Sequence, residues 1–120
     1  MKKLTLRQTY KLCSELWSWL AKHPDKGKAS WPKWSKKDYA EVRFSCFACE
    51  YDRLQNEIEG KGECFYCPLE ELWDTGCLDF ESPYWRWDRT TNAKIRKENA
   101  LIIANFCKNK LKELFDNTGN

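Results

Sequence analysis

Residues 46–77 read CFACEYDRLQNEIEGKGECFYCPLEELWDTGC. Cys46 and Cys49 form one C-x-x-C, and Cys64 and Cys67 form a second, separated from the first by 14 residues. Two thiolates three positions apart can reach one ion from a tight turn or a helix end. Two such pairs supply the four ligands of a tetrahedral zinc site, each sulfur about 2.3 Å from the metal. Gly60 and Gly62 precede the second pair, where a knuckle needs permissive backbone. Cys77 is a fifth candidate for one of four places. A redox C-x-x-C belongs in a strand–helix unit, which is not visible here. An iron–sulfur cluster also takes four thiolates, but zinc is the commoner reading of this spacing.

The thiols must be reduced for this reading to hold. The chain has seven Cys, an odd number that a fully paired disulfide framework does not leave. Lys2 and Lys3 resemble the start of a signal peptide, but Arg7, Gln8, Lys11 and Glu15 interrupt any apolar run after them. No segment approaches the roughly 20 apolar residues of a membrane span. The expectation is a cytoplasmic protein, in which clustered Cys are metal ligands more often than bridges.

On either side of the cysteine segment the pattern is helical. Leu6, Tyr10, Cys13, Trp17 and Leu20 recur at helical spacing on one face. Thr5 and Gln8 suit a capping box. Pro24 predicts an end near Lys22. The polar run 22–30 reads as a loop, followed by an aromatic turn at Trp31, Pro32 and Trp34. A helix from about Lys36 toward Cys46 would align Tyr39, Val42 and Cys46. Residues 50–63 are polar and read as a mobile connection. Pro68 suits the first position of a short helix over Leu69 to Asp74, stopped by Gly76. Residues 78–88 read as irregular or weakly extended. The last helix should run from about Thr91 to Phe115, with Ile95, Ile102, Ile103, Phe106, Leu111, Leu114 and Phe115 on its apolar face. The predicted fold is small and mainly α: one domain whose N- and C-terminal helices pack around a four-cysteine zinc knuckle, with at most a small β-hairpin. For structural sites of this kind, metal binding contributes about 10–16 kcal/mol of apparent free energy.

Charge divides the 120 residues into three parts. Residues 1–45, a basic helical arm, hold 11 Lys or Arg against 4 Asp or Glu. Residues 46–88, the metal segment, hold 3 against 11, and residues 89–120, the C-terminal helix, hold 7 against 3. The net +3 therefore averages over a basic–acidic–basic pattern. Glu50, Asp52, Glu63, Glu70 and Glu71 surround the knuckles, and a zinc ion held by four thiolates adds two further negative charges. That counts against phosphate contact through the metal face. It suits a basic protein partner, or a plain solvated face.

The seven Trp offer large, partly polar surfaces. Trp31 and Trp34 lie among Lys26, Lys28, Lys33, Lys36 and Lys37, an arrangement able to stack bases and hold phosphates. The plainer reading seats both indoles on a small core. Trp85 and Trp87 flank Arg86 and would share one face of an extended segment, as core or as a binding ridge. Cys13 and Cys107 fall within apolar helical patterns and read as core. Catalysis finds little support. His23 is the only His, in a polar loop. Four Cys close a zinc site, whereas a catalytic zinc keeps an open position. The zinc-deaminase signature is absent, and so is a Gly-rich phosphate loop.

The motifs C-F-A-C-E-Y at 46–51, C-F-Y-C-P-L at 64–69, T-G-C at 75–77 and S-P-Y-W at 82–85 resemble a family of small cysteine-rich proteins of Gram-positive phages and prophages. The resemblance covers about 40 residues, a third of the chain, and excludes the flanking helices. Some phage-borne metalloproteins of this size are anti-CRISPR proteins that bind Cas9 and block DNA loading. The resemblance thus implies a non-enzymatic zinc protein, working in the cytoplasm of a bacterial host by binding a defence nuclease such as Cas9. Trp85, Arg86, Trp87, Glu70, Glu71, Trp31 and Trp34 are the candidate contacts. The alternative is a small zinc-ribbon nucleic-acid binder that uses the basic segment around Trp31 and Trp34.

Overall fold

A computed structural model describes residues 4–35, 47–60, 67–69, 72 and 82–118. The first helix, α1 (Leu6–Lys22), begins where its capping residues require. The Gln8 N–H donates to Thr5 Oγ1 at 3.0 Å, and the Thr5 N–H donates to Gln8 Oε1 at 3.0 Å. Two of the unpaired donors of the first turn are satisfied in this way. The helix stops at Lys22, and His23 then caps it. The His23 ring stacks on Trp19 with centroids 4.3 Å apart, and its Nδ1 lies 2.8 Å from the Trp19 carbonyl. The single histidine is thus built into a helix end and is half-buried.

The buried surface of α1 is wider than one stripe. Leu12 and Leu16 join Tyr10, Cys13, Trp17 and Leu20 inside. The reason is its position: α1 packs chiefly along the last helix and also against the second. After α1 come two short 3-10 turns, Lys28–Ser30 and Pro32–Ser35. Lys33 ties the second turn to α1 through Glu15, with Nζ to Oε2 at 3.5 Å.

Helix α2 (Phe47–Glu59) occupies most of the stretch that reads as a mobile connection. Phe47, Tyr51, Leu54 and Ile58 are spaced by four, three and four. The first is fully buried, Tyr51 and Leu54 pack against the core, and Ile58 is left outside. Arg53 bridges Glu50 and Glu57 on the same helix. Gly60 ends it at φ +64°, its N–H donating to the Asn56 carbonyl at 2.9 Å. This is a left-handed termination that glycine adopts without strain.

Helix α3 (Pro83–Arg89) replaces the latter part of the expected irregular segment, whose residues 78–81 lie outside the described residues. Ser82 caps it, accepting from the Trp85 N–H at 3.0 Å, and Pro83 stands at its start, where a missing N–H costs nothing. Helix α4 (Ala93–Thr118) follows, with the Ile95 N–H donating to Asn92 Oδ1 at 3.1 Å. Its inner face also differs from expectation. Ile95 and Ile102 are 40% and 44% exposed, while Ala100, Ile103, Ala104 and Cys107 are fully buried. Positions 95 and 102 lie seven apart on one stripe, turned away from that of Ala100, Ala104 and Cys107. Small side chains there let α4 lie close on α1.

The described residues contain four α-helices and no strand, so the fold is mainly α. All four helices contribute to one hydrophobic cluster that includes Leu16, Leu20, Phe47, Trp87 and Ile103. Cys13 and Cys107 belong to it as expected. Two expected elements, the helix from Lys36 toward Cys46 and most of the turn over Leu69 to Asp74, lie outside the described residues. Within the latter, the Leu72 N–H donates to the Leu69 carbonyl at 2.9 Å.

Candidate metal segment and partner surfaces

Of the five candidate metal ligands, Cys49 and Cys67 are described and both are half-buried. Cys46, Cys64 and Cys77 lie outside the described residues, as do Glu63, Glu70 and Glu71. Among the described residues no group of three His, Cys, Asp or Glu side chains comes together to hold a metal.

Each described cysteine rides on an anchored segment. Cys49 stands in the first turn of α2, directly after Phe47 and Ala48, both of which are fully enclosed. The Phe47 ring meets Trp31 edge-on, with centroids 5.7 Å apart. Cys67 is held from α1 through its neighbour. The Tyr10 hydroxyl donates to the Pro68 carbonyl at 3.0 Å, a buried bond between residues 58 positions apart. Leu69 is buried beside it, and Cys67 packs against the same core. Phe106 of α4 meets Tyr10 edge-on at 6.5 Å and supports the ring. Soft thiolate donors on segments fixed at their flanks suit a structural zinc. With Cys46 and Cys64 they would complete a closed set.

The acidity of this segment is partly internal. Glu50 is 1% exposed and Asp52 8%, whereas Glu57 is open to solvent. Glu50 accepts two hydrogen bonds from Arg53, one from Nε at 3.0 Å and a shorter one from the adjacent terminal nitrogen. Arg53 also donates to Glu57 at 2.7 Å. The bond to Glu50 holds the Arg53 guanidinium above its ordinary pKa, against the opposing pull of burial. A buried carboxylate needs such a partner, since an uncompensated charge inside is strongly unfavourable. Glu50, paired in this way, is withdrawn from an acidic docking face, and Asp52 is buried as well.

The candidate partner contacts separate in the same way. Trp31 is 3% exposed and forms part of the core, and the Trp34 side chain lies outside the described residues. Because residues 83–89 are helical, Trp85 and Trp87 do not share a face. Two helical positions differ by about 200° in direction. Trp87 is 3% exposed and meets Trp17 edge-on at 4.9 Å, Trp85 is half-buried, and Arg86 is exposed.

Arg96 is a functional-looking side chain that sequence reasoning passed over. It lies 4.2 Å from the centroid of Trp87. Its guanidinium donates to the carbonyls of Pro24 at 2.6 Å, Lys26 at 2.8 Å, Trp87 at 3.0 Å and Thr90 at 3.3 Å. One side chain thus joins the loop after α1, the end of α3 and the start of α4. Two of the acceptors are among the unpaired carbonyls at the α3 C-terminus, where positive charge is favourable. Burial lowers the Arg96 pKa from its ordinary value, and Asp88 and Asp25 oppose that shift. Nothing local marks this arginine, because its acceptors are backbone atoms on other elements. No family model, curated protein or solved structure matches the chain. Among the described residues no helix is long and apolar enough to cross a membrane.

Proposed function

We propose that this chain is a non-enzymatic, zinc-stapled helical protein of the phage type that its cysteine motifs resemble. It acts by binding a protein of a host defence system in the bacterial cytoplasm, and Cas9, with DNA loading blocked, is the target we put to test. The observation that carries this reading is the seating of the cysteine segments. Cys49 follows two buried residues of α2, and Cys67 precedes a carbonyl held by Tyr10. Cysteines placed in this way staple a scaffold, and the scaffold then presents its outer surface to a partner. The zinc supplies folding free energy and no chemical step. Cys46, Cys49, Cys64 and Cys67 hold it, with Cys77 as the substitute for one of them.

The partner surface is narrower than the motif suggests. Arg86 and the outer edge of Trp85 can anchor, while Trp31 and Trp87 serve the core. Glu70 and Glu71 remain candidates from the acidic segment. The test is direct. The purified chain is mixed with a Cas9–guide complex, and both co-elution and target-DNA binding are measured. Co-elution with loss of DNA binding is expected. Absence of a complex together with undiminished DNA binding would overturn the choice of target.

A further inference from the structure

The contacts of Arg96 bring together three separate stretches of backbone that carry basic residues. Its bonds to the Pro24, Lys26, Trp87 and Thr90 carbonyls fix the loop after α1 beside the end of α3 and the start of α4. The Lys28 ammonium lies over the Tyr84 ring at 4.5 Å, a second link between loop and α3. The side chains of this corner are Lys26 and Lys28 from the loop, Arg86 and Arg89 from α3, and Lys94 and Lys97 from α4. All but the half-buried Lys28 are exposed. The opposing carboxylates on the same elements are Asp25, Asp88 and Glu98. Asp25 engages Lys26 only loosely, at 3.8 Å on an open surface. Among the described residues the corner therefore carries an excess of positive charge, within a chain whose net charge is only +3.

Aromatic rings stand among these cations. Trp85 is half-buried on α3, and the Arg89 guanidinium lies 5.8 Å from its centroid, whereas Tyr84 is stacked on Trp87 and serves the core. Cations that follow a phosphate backbone, interleaved with rings on which bases stack, are the chemistry of single-strand binding. With only seven residues, α3 is about 10 Å long. That is short for a reader of the major groove, where a longer recognition helix usually docks.

We infer that the corner formed by the loop after α1, α3 and the start of α4 docks single-stranded nucleic acid through its phosphates. This goes beyond the proposed protein target: it shares Arg86 and Trp85 with that surface and adds Lys26, Lys28, Arg89, Lys94 and Lys97. It also differs from a zinc-ribbon mode through Trp31 and Trp34, since Trp31 is enclosed.

The test is fluorescence anisotropy of labelled oligo(dT) of about twenty nucleotides, titrated with the full chain. Measured between about 50 and about 200 mM salt, log K against log salt should fall with a slope of about −2 to −3, from three or four phosphates at about −0.7 each. The double variant Arg86→Gln/Arg89→Gln should bind at least about tenfold more weakly, with the slope reduced by about 1.4. Both side chains are exposed, and circular dichroism checks that the fold is kept. Trp85→Ala should weaken binding by about fivefold or more. Three results would overturn the inference: no binding at the lower salt, binding untouched by the arginine pair, or equal affinity for polyglutamate, which would assign the corner to acidic protein.

Discussion

Replacing Arg96 by methionine keeps most of the side-chain length and removes every donor. In the native chain three of its hydrogen bonds are 3.0 Å or shorter, and the fourth is 3.3 Å. Hydrogen bonds to a charged group are worth about 1.5–3 kcal/mol net each when buried. One of these is exposed and three are only part-buried, so water replaces much of what is lost, and about 0.5–1 kcal/mol each applies. The contact with Trp87 adds about 0.5–1 kcal/mol. Methionine retains packing on that ring. The expected loss is about 3–4 kcal/mol, a large share of the stability of a typical domain. For a chain of this size it corresponds to a fall of about 10–15 °C in Tm. Urea unfolding followed by tryptophan fluorescence gives the free energy, and an unchanged m-value confirms that the unfolding unit is the same. Arg96→Lys is the informative comparison. A lysine ammonium keeps the charge but cannot span carbonyls on three elements. It should recover less than half of the loss. A lysine variant as stable as the native chain, or a methionine variant losing under about 1 kcal/mol, would refute the assignment of Arg96 as the joint between loop, α3 and α4.

Other perturbations test single links. Tyr10→Phe leaves the Pro68 carbonyl without its buried donor and should cost about 1–3 kcal/mol by urea unfolding, with metal lost at lower chelator concentration than in the native chain. Gly60→Ala places a Cβ at φ +64° and should destabilise by about 1 kcal/mol, read as a shift in urea midpoint. Ser82→Ala removes the α3 cap and should cost about 1 kcal/mol, read in the same assay.

What could be read beforehand was local. The Thr5–Gln8 box and the stop before Pro24 depend on neighbouring residues, and both ends of α1 fall where these signals place them. The α4 helix was legible for the same reason. Its inner face was not. Hydrophobicity favours Ile95 and Ile102, but close contact with α1 selects Ala100, Ala104 and Cys107 by size. The polar residues Gln55, Asn56 and Glu57 hid the four-three-four spacing of α2. The buried Glu50 could not be foreseen, because only its bond to Arg53 makes burial tolerable. For α3 the signal was present and misread. Ser82 and Pro83 form a cap and a first position, but the aromatic residues after them suggested extended chain. Arg96 had no signal, since its farthest acceptor lies 72 positions away. Tyr10 carried half of one: its core position was periodic, while the acceptor of its hydroxyl depended on the fold.

The account rests most heavily on a metal that joins the cysteine pairs. Elemental analysis of the intact chain, alongside Cys64→Ser, tests it most directly. One zinc per chain is predicted, with zinc and the cooperative thermal transition both lost in the variant. Negligible zinc in the native protein, iron in its place, or a variant with unchanged zinc content and melting temperature would contradict it.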